Sequence, residues 1–182
     1  MKIRFVLLAL VVFLGTWVAY AHRIRITAWV WHLRHGTAMN VGNYTIPVPK
    51  NWYVESQPEE GELLVKMDTA DRTPYKRLKA HASILLLPEA PLKDEDLHRL
   101  LSIDTDFLKQ HGVEQILQRT FNVDSGTISC VGGDKPSSMG VYDVEPISWR
   151  CKSSGGLEIM IGSTDSDMTQ VWEILSGIRK KS

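Results

Sequence analysis

The spacing of hydrophobic positions changes several times along the chain, and each spacing predicts a different kind of element. Residues 5–21 form a run without a charged side chain. Between residues 43 and 87 the hydrophobic positions alternate with polar ones, which is typical of strands with one buried face. Strands are therefore predicted at 43–48, 62–68 and 79–87.

The first predicted strand contains two prolines at alternate positions, Pro47 and Pro49. Proline has no N–H to donate, so this spacing favours an edge strand whose amides point away from the sheet. The aromatic pair Trp52 and Tyr53 follows, and "PEEG" at 58–61 is a turn signal. The stretch 43–54 is therefore interpreted as one arm of a hairpin whose other arm is 62–68.

From residue 94 the spacing becomes that of an amphipathic helix, which Gly112 ends. Strand-like segments follow at 114–123, 126–132, 140–152 and 156–163, and their short connections favour antiparallel pairing. A second helix ends the chain, with residues 165–167 as candidate caps and three cations, residues 179–181, at its C-terminus. The predicted fold is α+β: an antiparallel sheet covered by two amphipathic helices, an αβα sandwich, after an N-terminal transmembrane helix. The apolar stripes of the two helices are Leu97, Leu100, Leu101, Phe107 and Leu108, and Met168, Val171, Trp172, Leu175 and Ile178.

The charge-free run at the N-terminus fits a membrane anchor or a signal peptide. Ala19-Tyr20-Ala21 matches a small-x-small cleavage site, whereas the length of the run approaches the ~20 residues of a membrane span. Several arginines follow closely and disfavour cleavage, so an uncleaved anchor is expected. The candidate residues at the membrane interface are Trp17, Tyr20, Arg23, Arg25, Trp29 and Trp31, and His32 and His35 are assigned to the same segment. The predicted organisation is an anchor with its juxtamembrane extension at 1–35, a linker at 36–42 and a domain at 43–182.

The two cysteines, Cys130 and Cys151, are expected to form a disulfide. Each lies in a strand-like segment, and period-two counting places each on the same face as hydrophobic neighbours. An even cysteine number in an exported domain favours a disulfide; the alternative is two buried thiols in a reducing compartment. No histidine lies near enough in the sequence to complete a zinc site.

Composition and motifs exclude several functions. Hydrophobic residues make up 43% and charged residues 23% of the chain, and 21 basic residues balance 21 acidic ones. Nucleic-acid binding is not expected because the chain has no basic excess. No H-E-x-x-H, G-x-S-x-G or phosphate-loop pattern is present, so no catalytic residue, cofactor or metal is predicted. The segment "SCVGGDKPSSMG" is interpreted as an exposed loop near 132–140.

Two stretches resemble the PsbP-like αβα sandwich superfamily, which includes bacterial domains of unknown function. "YTIPVPKNWYV" resembles its opening strand, of the form Y-x-I-x-x-P followed by a tryptophan, and "VWEILSGIRKK" resembles its closing helix. The resemblance covers roughly residues 41–181. It implies a three-layer sandwich with an antiparallel sheet, and it implies binding of protein partners or assistance in assembly rather than a reaction.

The expected function is that of a non-enzymatic binding or assembly module, held in the inner membrane by one N-terminal helix. Its domain would face the periplasm or the cell exterior and contact a protein partner through a sheet face or the loop near 132–140. Two alternatives remain: a small-ligand binder or unrecognised enzyme in the periplasm, and a lipid or envelope sensor that uses residues 22–35.

Overall fold

The computed structural model describes residues 2–21, 23–59, 62–69, 82–124, 126–134, 147–163 and 168–181. Within these ranges the chain is α+β with antiparallel strands, as the sequence predicts, and it contains two sheets and four helices. The helices are α1 (Lys2–Ala21), α2 (Arg23–His35), α3 (Asp94–Gln110) and α4 (Thr169–Ser176). The strands are β1 (Ala38–Val41), β2 (Tyr44–Pro47), β3 (Trp52–Glu59), β4 (Glu62–Thr69), β5 (Ala82–Pro88), β6 (Leu117–Val123), β7 (Gly126–Asp134), β8 (Ile147–Ser153), β9 (Leu157–Ser163) and β10 (Arg179–Lys180).

Seven strands form the main sheet, in the order β3-β4-β5-β9-β8-β7-β6, and every neighbouring pair is antiparallel. The last four strands in this order, β9 to β6, come from the second half of the chain. Their connections are short wherever the structure describes them, which suits antiparallel neighbours. The prediction of an antiparallel sheet is confirmed.

The two faces of the sheet are covered by different helices. Side chains alternate along β8, so Trp149 and Cys151 point to one face and Arg150 and Lys152 to the other. The first face carries the main core, to which α4 contributes Val171, Ile174 and Leu175. We call it the α4 face. The second, the α3 face, holds a smaller cluster made by Leu108, Val113 and Val131.

A small second sheet, in the order β1-β2-β10, completes the cover of the α4 face. Its residues Val41, Tyr44 and Ile46 are almost fully buried in the main core. The segment 36–42 is therefore not only a linker, because residues 38–41 pair with β2. Tertiary packing causes residues 38–41 to form a strand. Because β2 buries Tyr44 and Ile46, its backbone N–H and C=O groups need hydrogen-bond partners, and strands on both sides supply them.

Two expectations about strand pairing and helix ends are wrong, and a third holds in part. The strand at 44–47 is central in its small sheet rather than an edge. The predicted hairpin is confirmed for residues 52–54, which pair with 67–69 as part of β3 and β4, but β2 does not belong to it. Helix α4 ends at Ser176, and Arg179 and Lys180 pair with β2 instead of continuing the helix. The physical reason is Ile178, which is 1% exposed in the main core, so that the chain turns inward at Gly177. The candidate caps at 165–167 lie outside the described residues.

Helix α2 is fastened to the domain at its C-terminal half. Ala28 is 1% exposed, and Trp31 packs against the main core. The His32 ring nitrogens lie 2.6 Å from the Gly36 carbonyl oxygen and 2.9 Å from that of Pro49. Carbonyl oxygens only accept hydrogen bonds, so the ring is the donor in each bond it makes with them. His32, assigned from the sequence to the membrane interface, thus connects the segment before the domain to the domain itself.

Candidate functional site

An open groove lies on the α4 face, between β6, the adjoining ends of β7 and β8, and helix α4. Its volume is about 600 Å³. The lining is mixed: aromatic and aliphatic side chains form the floor, and charged side chains form the rim. The residues are Leu117, Arg119 and Phe121 from β6, Asp134, Ile147 and Trp149 from β7 and β8, and Met168, Thr169, Trp172, Glu173 and Ser176 on and just before α4.

Trp172 is at the centre of an aromatic cluster in this groove. Its ring packs edge-on against Trp149, with ring centroids 4.9 Å apart, and stacks on Phe121 at 5.6 Å. The Arg119 guanidinium carbon lies 4.8 Å from the centroid of the Trp172 ring, at cation–π distance. Arg119 itself is exposed. A partly exposed aromatic cluster with a cation lying over it is the type of surface that recurs at the centres of protein interfaces.

Gly132 makes room for the floor of the groove. It is paired directly with Trp149 across β7 and β8, and a Cβ at Gly132 would lie 2.4 Å from Trp149 Cδ2. The absence of a side chain therefore lets the indole lie across the neighbouring strand. The strand predicted from the sequence ends at residue 132, where the predicted exposed loop begins, but β7 continues to Asp134. The rest of that predicted loop, residues 135–140, lies outside the described residues and follows directly after Asp134 at the rim.

A second, smaller cleft lies on the α3 face. Its volume is about 340 Å³, and α3 lines one side of it while β6 and β7 line the other. The lining is mostly polar, with His98, Ser102 and Thr105 from the helix and Gln118 and Thr120 from β6. It lacks an aromatic cluster, and we regard the groove on the α4 face as the candidate site.

A buried ionic network fixes α3 to the sheet. Lys152 Nζ lies 2.8 Å from Glu158 Oε1 and 3.9 Å from Asp104 Oδ2, and Arg150 donates to Asp104 Oδ1 at 3.2 Å. Asp104, Lys152 and Glu158 are each less than 9% exposed. The Arg150 guanidinium carbon also lies 4.1 Å from the centroid of the Phe107 ring. The network is buried between α3 and the sheet, and it resembles a structural network rather than a catalytic one.

The carboxyl groups of this network have shifted pKa values. Loss of solvation on burial raises the pKa of Asp104, against the opposing effect of Lys152 and Arg150. Burial also acts to raise the pKa of Glu158, but hydrogen bonds from Lys152 and Glu89 outweigh it, and the net direction is down. Burial and the hydrogen bond to Glu158 raise the pKa of Glu89, the other carboxyl group of that pair. All three groups lie away from the groove.

The two cysteines are paired as the sequence predicts. Cys130 and Cys151 are directly opposite each other on β7 and β8, and their sulfur atoms lie 2.07 Å apart, at disulfide distance. Both residues point into the main core and are at most 1% exposed. The disulfide therefore crosslinks the centre of the sheet.

The predicted interfacial residues have different surroundings. Trp17 and Trp29 are 50% and 63% exposed, and Arg25 is exposed. Trp31, in contrast, packs against the main core and stacks on His35 with ring centroids 5.0 Å apart. The side chains of Tyr20 and Arg23 lie outside the described part of the chain. Nothing in the groove comes from this group of residues.

Neither a membrane-spanning helix nor a metal-binding group of side chains is found in the described part of the chain. A search of those residues finds no helix that is long and apolar enough to cross a membrane. It also finds no group of three or more His, Cys, Asp and Glu side chains arranged to hold a metal ion.

Comparison with known proteins identifies no similar protein or family. No family model matches the chain, and neither a curated protein nor a solved structure is significantly similar to it. The resemblance to PsbP-like domains stays a prediction.

The groove was not found from the sequence. Trp172 was assigned to the buried stripe of the last helix, and Arg119 and Phe121 received no role. One signal was present: Leu117, Arg119 and Phe121 occupy one face of a predicted strand. An arginine between two large hydrophobic residues on a strand face indicates a surface that is not simply core. The sequence could not show that α4 brings Trp172 over that face.

Proposed function

We propose that this chain is a single-pass membrane protein whose α+β domain lies outside the cytoplasm and binds a protein partner in the groove between β6 and α4. The observation that carries the proposal is the aromatic cluster of Trp149, Phe121 and Trp172 with Arg119 across it. Aromatic residues and arginine dominate binding energy at protein interfaces. The groove is open at its rim, as suits a segment of a macromolecule, and the resemblance to PsbP-like domains implies the same kind of function.

The proposed anchor is α1. The search of the described residues did not identify it as a span, but the whole helix of 20 residues, at 1.5 Å per residue, has a length of about 30 Å, that of a bilayer core. Ten large apolar side chains between Val6 and Val18 are 50–66% exposed, and none belongs to either hydrophobic cluster of the domain. Lipid would cover this surface, which is costly to expose to water. The disulfide favours a domain on the oxidising side of the membrane.

A mass measurement tests the anchor and the compartment together. We expect the chain recovered from the membranes of its native host, alkylated without reductant, to be uncleaved and to carry no alkyl group. A chain that begins at residue 22 would exclude the anchor. An uncleaved chain with two alkyl groups would place the domain in a reducing compartment and exclude its export.

Photo-crosslinking from the groove tests partner binding. A photoreactive phenylalanine analogue in place of Glu173, exposed on the α4 side of the groove, should capture a protein of different mass from the chain itself. The same analogue at Ile103, which is 56% exposed on α3, is the matched control and should capture much less. Equal yields at both positions, or no adduct at Glu173, would contradict the proposal.

The aromatic cluster should determine that yield. In the chain that carries the probe, Trp172→Leu should lower partner capture by about tenfold, because it removes contacts typical of an interface hot spot. Phe107→Leu, at a partly exposed aromatic residue on α3, is the control and should leave capture unchanged. If capture of a protein is absent but Trp172 fluorescence responds to small molecules from a host extract, the groove is instead a small-ligand site.

A further inference from the structure

The two edges of the main sheet differ in how they are protected against pairing. β3 forms one edge, and its sequence contains Pro58 and the acidic residues Glu55 and Glu59. Prolines and charges are the usual means of preventing an edge strand from pairing with another chain. β6 forms the other edge in the described part of the chain, and it has neither proline nor lysine. Its sequence, LQRTFNV, contains one charged residue.

The edge of β6 is also open to solvent. Five of its seven residues are exposed, and Leu117 is 47% exposed although it is apolar. An exposed strand of this length with no proline or lysine and a single charge is a template for a further strand. Its two faces differ: Leu117, Arg119, Phe121 and Val123 lie on the α4 face, and Gln118, Thr120 and Asn122 lie on the α3 face.

The disulfide reveals which backbone groups of β6 point outward. Cys130 and Cys151 have a Cα–Cα distance of 4.0 Å, which identifies a non-hydrogen-bonded pair of β7 and β8. The N–H and C=O of Cys130 therefore point toward β6, where Arg119 is its partner. Backbone groups alternate in direction along a strand, so those of Gln118, Thr120 and Asn122 point away from the sheet, toward solvent.

We propose that a second copy of this chain pairs with β6 in antiparallel fashion, about a two-fold axis through Thr120. The arrangement joins the two seven-stranded sheets into one. Thr120 pairs with the partner's Thr120, and Gln118 pairs with the partner's Asn122. Each of these is a hydrogen-bonded pair, since all three residues direct their backbone groups outward. The interface is isologous, as a two-fold axis requires.

The side chains of β6 complement themselves in this register. On the α4 face, Leu117 lies opposite the partner's Val123, and Arg119 lies opposite the partner's Phe121, so that an apolar pair and a cation–π pair form. On the α3 face each pair joins two polar side chains, Gln118 with the partner's Asn122 and Thr120 with the partner's Thr120. A two-fold axis through Arg119 would instead place two like charges opposite each other, which is destabilising. The register about Thr120 also pairs all seven residues of the strand. The complementary side-chain pairs on both faces are the reason to assign this edge to a second copy.

A proline at the axis tests the proposal on the full-length chain. Thr120→Pro removes an N–H that bonds to no strand of its own sheet, so the protomer should fold, whereas the dimer loses that bond twice. We expect wild-type chain in detergent to have about twice the protomer mass of 20.6 kDa by light scattering, and Thr120→Pro to dimerise at least tenfold more weakly. The matched control, Thr120→Val, keeps the backbone N–H and should remain a dimer.

Hydrogen exchange supplies an independent measurement. The amides of Gln118, Thr120 and Asn122 should be protected in the wild type, and those of Gln118 and Asn122 should exchange fast in the proline variant. If Thr120→Pro fails to fold, Thr120→Lys places two like charges across the axis and should also give protomers. A wild-type protomer with unprotected amides, or a Thr120→Pro chain that still dimerises, would overturn the proposal. Protection by a different protein would overturn it as well, because it would assign the edge to another occupant.

Leu117, Arg119 and Phe121 belong both to the groove and to the proposed dimer interface, but the variants test the two proposals separately. Thr120 is on the α3 face, so its replacement leaves the groove residues in place, and capture from Glu173 should persist in the Thr120→Pro chain. Conversely, Trp172→Leu should leave the mass of the dimer unchanged. The failure of one proposal therefore leaves the other intact.

Discussion

Replacement of Lys152 by methionine should lower the free energy of unfolding by about 3 kcal/mol or more, the magnitude found when one partner of a buried ion pair is removed. Lys152 contacts two carboxylates, Glu158 at 2.8 Å and Asp104 at 3.9 Å, and all three side chains are at most 11% exposed. Among the residues that the structure describes, Asp104 Oδ2 has no hydrogen-bond partner. Without the ammonium group, two negative charges remain under α3 with little solvent to stabilise them.

The pH dependence of this loss has a defined sign. In the wild type Lys152 opposes the effect of burial on both carboxyl groups. Its removal should raise the folded-state pKa of both Glu158 and Asp104 relative to the wild type; the usual values of these groups are 4.5 and 3.8. The folded variant then takes up protons as the pH falls toward those values, and its stability relative to wild type increases. The deficit should therefore be largest at neutral pH and smaller near the usual carboxyl pKa.

Denaturant unfolding at neutral pH and at a pH near the usual carboxyl pKa measures the loss of stability in Lys152→Met. Two further variants serve as references. Arg99→Ala breaks an ion pair with Asp96 in which the side chains are 73% and 45% exposed; it should change stability by well under about 1 kcal/mol. The double variant Lys152→Met and Glu158→Leu removes the pair together and should recover much of the loss. A Lys152→Met chain as stable as Arg99→Ala would show that the network does not stabilise the packing of α3.

Loss of the disulfide should cost about 3 kcal/mol. The crosslink spans 21 residues, and in the chain-entropy model a loop of this length destabilises the unfolded state by that amount. The residues between the two cysteines include the ends of β7 and β8 and the segment 135–146. The expected result for the double variant Cys130→Ala and Cys151→Ala is a lower midpoint of denaturation, with some further loss from the smaller side chains in the main core.

Reductant provides the matched comparison. In a denaturant titration, a thiol reductant should lower the wild-type midpoint of denaturation to nearly that of the Cys130→Ala and Cys151→Ala double variant. The midpoint of the double variant itself should not change. A reductant effect on the double variant would point to a cause other than this bond. A wild-type midpoint that does not move while mass analysis shows free thiols would mean that the sheet does not need the crosslink.

The elements of this fold were mostly predictable because their signals are local. Alternation along 62–68 and 156–163 predicts strands that the structure shows at Glu62–Thr69 and Leu157–Ser163. The stripe that begins at Leu97 gives α3 with nearly its observed bounds. Period-two counting placed Cys130 and Cys151 in the core, and the pairing of β7 with β8 brings them together.

Errors arose where distant parts of the chain decide the local structure. The segment 36–42 looked like a linker because its glycines are turn signals, but β2 recruits residues 38–41 as a strand. The three cations at the C-terminus suit a helix end by the dipole argument, yet two of them pair with β2. Local propensities of this kind are small in free energy, and burial of one side chain such as Ile178 outweighs them.

The sequence by itself determined the class of the fold, the positions of most strands and helices, and the two cysteines that face the core, because hydrophobic periodicity reports which side of an element is buried. Only the tertiary structure decided the order of strands in the sheets, the edge position of β6 and the groove beneath Trp172. These features depend on which elements become neighbours. Residues 119, 149 and 172 are far apart in the chain, and it is the packing of α4 across the sheet that brings them into contact.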